Sequence, residues 1–97
     1  MNKSKFNKLK VGDKVTLAKS LKAYGQMGVL KYAYVPAGTE GTIGAVKVPF
    51  VTGKERDFVC VNFPPDTQLI NFHGKPVADE NPHRNEYRVA AIETELK

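Results

Sequence analysis

The residues of this chain that could do chemistry are lysines set among tyrosines. Over residues 19–34, Lys19, Lys22 and Lys31 are interleaved with Tyr24, Tyr32 and Tyr34. A lysine ammonium neutralises phosphate, and a tyrosine ring offers a face on which an unpaired base can stack. Small barrels hold RNA and single-stranded nucleic acid with this combination. Upstream, Lys3, Lys5, Lys8 and Lys10 form a basic arm. Each lysine laid along a phosphate backbone releases counterions and steepens the salt dependence of binding. These side chains are the candidate nucleic-acid-binding residues. A second reading stands beside the first. If residues 29–35 form a strand, Leu30, Tyr32 and Tyr34 share one face and Lys31 takes the other, which would make the tyrosines core and the lysine solvent-facing. A lysine-rich end can equally be a solubilising tail.

The polar connection 73–85 carries His73, Lys75, His83 and Arg84 together with Asp79 and Glu80. Loops longer than about 12 residues in a compact domain are often functional, so these four basic side chains are a candidate partner-binding loop. His73 and His83 stand in a His-x9-His spacing, which fits no standard zinc pattern, so no metal is expected. Cys60 lies between Val59 and Val61 and reads as a structural buried thiol. A nucleophile would need a neighbouring base and a lowered pKa. Gly38-Thr39-Glu40-Gly41 lacks the Gly-Lys-Ser/Thr ending of a phosphate-binding loop. No serine elbow and no paired carboxylates at a recognisable spacing occur. The expectation is a protein that is not an enzyme and has no cofactor.

The bulk properties fit that expectation. With 97 residues, 41% of them apolar, and one cysteine, the chain suits one modest domain without disulfide support. The net charge is +5 and uneven. Residues 1–31 hold eight lysines against Asp13 alone, a net of +7, whereas residues 32–97 sum to −2. Such asymmetry points to a polyanionic partner: nucleic acid or a nucleoprotein, an anionic membrane surface, or an acidic protein. The basic start runs into Val11-Gly12-Asp13-Lys14 instead of a signal-peptide apolar stretch, and no window reaches the roughly 20 apolar residues of a membrane span. A cytoplasmic protein with no membrane partner is expected.

The elements that must position these residues follow from periodicity. Residues 1–10 read as a short helix or arm with Phe6 and Leu9 on one helical face. From residue 11 the pattern changes to period two. Strands are expected at 14–19, 29–35, 42–48, 57–63, 67–72 and 86–92. The stretches 20–28 and 73–85 are expected as loops, 36–41 and 52–55 as turns, and 93–97 as a polar tail. Residues 67–72 are the candidate exposed edge through which a second copy could pair. Five or six short antiparallel strands with turn signals between them make an all-β domain, and at this size a small barrel is economical.

The order of features resembles the SH3-like barrels and, within them, the KOW-type domains. Val11-Gly12-Asp13-Lys14-Val15-Thr16-Leu17 resembles their Gly-Asp opening and first alternating strand. Pro36-Ala37-Gly38-Thr39-Glu40-Gly41-Thr42-Ile43-Gly44-Ala45-Val46 looks like the glycine turn and the strand that follows. Residues 58–63 and 87–92 look like the next strand and the closing one. The stretch 18–41 is more similar to the long first loop of an SH3 barrel than to a KOW loop. The resemblance spans residues 11–92 and implies a single SH3-like barrel over 11–97 preceded by the basic arm 1–10. It also implies partner contact through the first loop, here 20–28, and the distal loop, here 73–85.

Two functions are therefore expected in parallel. One is a non-enzymatic module contacting nucleic acid or a nucleoprotein through the Lys/Tyr-rich N-terminal surface. The other is a protein-interaction or inhibitor module, of the kind common among phage or mobile-element accessory proteins, that binds a partner through its loops.

Overall fold

Alternation builds this chain, and strand β5 (Phe58–Phe63) shows how. Val59, Val61 and Phe63 are buried while Phe58, Cys60 and Asn62 are half-buried, the period-two pattern of a strand with one face on a core. Strand β8 (Tyr87–Ala91) repeats it, with Tyr87, Val89 and Ala91 inward and Arg88 and Ala90 outward. The computed structural model of the chain describes residues 1–25, 28–48, 58–78 and 86–97, and at 24–25 and 28–32 the backbone only.

The other elements are helix α1 (Lys3–Phe6) and strands β1 (Lys14–Thr16), β2 (Leu21–Gly25), β3 (Gly28–Val35), β4 (Glu40–Val48), β6 (Leu69–Ile70) and β7 (Pro76–Val77). Among the described residues the strands pair antiparallel in the order β1-β4-β5-β8-β2-β3-β6-β7. Two runs of four are joined where Tyr24 of β2 opposes Arg88 of β8. After β8 a 3₁₀ turn (Glu93–Glu95) brings the chain back to β1. There Leu17 bridges Leu96, the Ala18 N–H donates to the Glu95 carbonyl at 2.9 Å, and the Lys97 N–H donates to the Thr16 carbonyl at 3.0 Å. The outer edge of β1 is thereby covered. Leu17, Val35, Ile43, Val61, Phe63, Val89 and Leu96 are the largest fully buried side chains of the core. No helix among the described residues is long and apolar enough to cross a membrane.

Close packing of β4 on β5 depends on a residue without a side chain. A Cβ at Gly41 would lie 2.6 Å from both Phe63 Cε1 and Val61 Cγ1, closer than carbon atoms pack. Gly41→Ala therefore forces the two strands apart and should cost about 1–3 kcal/mol. Thermal unfolding should record this as a midpoint lowered by roughly 4–8 °C per kcal/mol. An unchanged midpoint would mean that β4 does not approach β5 so closely.

The all-β expectation holds, with eight strands among the described residues in place of five or six. Residues 21–25, expected as loop, form β2, because Leu21 and Ala23 are buried and the segment pairs with β3 and β8. Residues 73–85 are not an unbroken loop, since β7 falls within them. The 67–72 stretch contracts to β6, which is paired on both sides, with β3 and with β7, and so is not an edge. Among the described strands the edge on that side is β7, where Pro76 has no N–H to offer a further strand. The stretch 93–97, expected as a polar tail, carries the core residue Leu96. The turn at 52–55 lies outside the described residues.

Candidate functional site

Four residues cannot sustain a helix by propensity, so α1 stands because it is tied down. The Asn2 side chain caps it by accepting the Lys5 N–H at 2.8 Å, and Phe6 enters the core at 5% exposure. Leu9 packs on the same cluster. Phe6 and Leu9 thus share the face that their spacing predicts, and the lysines between and beside them are left in solvent.

The chain then turns into β1 through residues 10–13. The Asp13 N–H donates to the Lys10 carbonyl at 3.0 Å, and Asp13 Oδ2 accepts the Lys10 N–H at 2.9 Å. The Gly12 N–H donates to the Ile43 carbonyl and the Ile43 N–H to the Asp13 carbonyl, both at 2.8 Å. These bonds fix where β1 begins relative to β4. They also set Lys14 opposite Thr42, whose Oγ1 accepts from the Lys14 ammonium at 2.8 Å.

Between α1, β1 and the C-terminal residues lies a groove of about 520 Å³, whose lining includes Lys5, Lys8, Lys14 and Lys97. Among the described residues of that lining, the single carboxylate side chain is Asp13, which already accepts a backbone N–H. Lys5 and Lys8 come from the predicted arm, whereas Lys14 and Lys97 join them only through folding. Lys3 and Lys10 are exposed but do not line the groove.

The predicted Lys/Tyr surface is divided. Lys22 is exposed and stands opposite Tyr34 across the β2–β3 ladder, and Tyr34 in turn opposes Ile70 of β6. Leu21, Val35 and Leu69, the neighbours of these three, are buried, so the row Lys22–Tyr34–Ile70 lies on the outer face. Tyr34 is half-buried on that face, not part of the core. Lys19 sits apart, its ammonium 3.7 Å from Glu95 Oε2 with the lysine side chain 62% exposed, an arrangement worth little in stability. Lys31 belongs to β3, and Tyr24 and Tyr32 occupy β2 and β3; their side chains lie outside the description.

Of the four predicted loop residues, His73 and Lys75 are exposed and lie in the turn between β6 and β7. His83 and Arg84 lie outside the described residues. The residue that sequence reasoning passed over is Phe72. It is 77% exposed and its ring meets His73 edge-on, with centroids 5.4 Å apart and planes at 81°. The available signal was Asn71 before it and Gly74 after it, a turn pair that ends the strand two residues early, at Ile70.

Cys60 is half-buried on the outer side of β5. Its Sγ lies 3.7 Å from Asn62 Oδ1. Burial pushes its thiol pKa up; the nearby Arg88 charge opposes this and Glu86 adds to it. The thiolate is the reactive form. Iodoacetamide should therefore label Cys60 of the folded protein at pH 7 more slowly than the urea-unfolded chain, with the rate rising as pH approaches 9. Equal rates in both states would contradict the burial.

The chain matches no protein-family model, no curated protein and no solved structure.

Proposed function

We propose that this chain is a non-enzymatic binding module that holds nucleic acid through the lysine groove between α1, β1 and the C-terminal residues, on a fold of the SH3-like kind. The observation that carries the reading is the convergence of Lys5, Lys8, Lys14 and Lys97 on one groove in which, among the described residues, the only carboxylate side chain is already bonded to the backbone. Four lysines lining one groove concentrate positive charge there, and a phosphate backbone would neutralise that charge while releasing its counterions. The SH3-like reading is supported by the long excursion between β1 and β4 and by the return to β1 after a 3₁₀ turn.

The test is a fluorescence-anisotropy titration against labelled single-stranded RNA, single-stranded DNA and duplex DNA at about 50 and about 200 mM salt. Binding at the lower salt that weakens at the higher is the expected result. Absence of binding to all three, with polyglutamate bound instead, would overturn the reading and make the partner an acidic protein.

A further inference from the structure

We infer that the turn carrying Phe72 is a base-stacking site for single-stranded nucleic acid, whose unpaired bases dock on Phe72 beside Tyr34; this rests on the nucleic-acid reading above. The first support is rigidity. The Asn71 side-chain oxygen accepts the His73 N–H at 2.9 Å and the Lys75 N–H at 3.0 Å. The Asn71 N–H donates to the Lys75 carbonyl at 2.8 Å, and the Gly74 N–H to the Asn71 carbonyl at 3.0 Å. Gly74 takes φ +80°, which a glycine adopts without strain. A turn braced by these four hydrogen bonds thus holds an aromatic side chain out in water, and binding pays little backbone ordering entropy there.

The second support is shape. A cleft of about 210 Å³ runs beside Phe72, lined by Tyr34, Ile70 and Asn71 among others. That is below the roughly 300–1,000 Å³ of pockets for drug-sized ligands and suits one planar ring. The third support is charge. Among the described residues the cleft lining contains no carboxylate, Lys22 stands opposite Tyr34 in the ladder, and Lys75 closes the turn itself. Every base offers a π-face, so such a site tolerates sequence and rejects duplex, whose bases are already stacked.

The test compares a short single-stranded DNA containing 2-aminopurine with an abasic strand carrying the same number of phosphates, both at about 50 mM salt. The wild-type protein should quench 2-aminopurine and prefer the strand with bases. Phe72→Ala should weaken that strand by about 5- to 150-fold and leave the abasic strand unaffected, while Phe72→Tyr should restore both affinity and quenching. Equal binding of the two strands by the wild type, or no effect of Phe72→Ala, would overturn the stacking site and leave the lysine groove standing. Failure of the wild type to bind either strand would overturn the nucleic-acid reading, and the stacking site with it.

Discussion

Replacing Lys5, Lys8 and Lys14 together with Glu should lower the affinity for single-stranded nucleic acid by about 500-fold at about 50 mM salt. Counterion release sets the magnitude. With a single-strand slope near −0.7 per contact, each phosphate contact contributes roughly eightfold at that salt, and three contacts multiply to several hundred. Reversing the charge adds repulsion, so the figure is a lower bound. All three side chains lie at the groove and are exposed at the surface, and surface substitutions away from caps and cores change stability by less than about 0.5 kcal/mol. The Lys14 ammonium loses its bond to Thr42 Oγ1, a small exposed interaction, so circular dichroism should report an unchanged fold. A matched triple substitution at Lys3, Lys10 and Lys47, exposed lysines that do not line the groove, should cost much less. If both variants bind equally, charge acts through the net field alone and the groove has no special role.

Leu96→Ala should destabilise the fold by about 2–5 kcal/mol, lowering the melting midpoint by more than about 8 °C at roughly 4–8 °C per kcal/mol. Leu96 is 1% exposed and is the bridge partner of Leu17, itself fully buried. Truncation opens a cavity where the C-terminal residues meet β1. The surrounding backbone is fixed by the bonds between Ala18 and Glu95 and between Lys97 and Thr16, so collapse into that cavity is limited. Thr94→Ala, in the same turn but exposed, is the control and should stay within about 0.5 kcal/mol. Matching midpoints for the two variants would show that the closure onto β1 does not contribute to stability.

Much of this fold is legible where alternation is strong. The inward residues of β5 and β8 follow from Val59-Cys60-Val61 and from Val89-Ala90-Ala91, and Phe6 with Leu9 follows from helical spacing. Strand β2 is harder to read. Leu21 and Ala23 do alternate with Lys22, but the segment has no β-branched residue and ends in Gly25, so propensity argues against it. Pairing with β3 and β8 overrides that preference. Leu96 is illegible for a different reason. A lone apolar residue among Glu93, Thr94, Glu95 and Lys97 has no period, and its burial is decided by β1, distant in sequence. The site divides along the same line. Lys5 and Lys8 are marked by charge density, whereas Lys14 and Lys97 acquire a role only when the sheet brings the C-terminal residues back to the start. Phe72 reads as a strand residue until Asn71 and Gly74 are seen to close a turn around it.

The most direct test of the central claim is the slope of log Kobs against log salt concentration for a single-stranded oligonucleotide. Four lysines engaged with phosphates predict a slope of about −2.8 for the wild type, falling to about −0.7 or to no measurable binding in the Lys5/Lys8/Lys14→Glu variant. A wild-type slope near zero, or a slope that the variant leaves unchanged, would contradict the assignment of the groove as the nucleic-acid site.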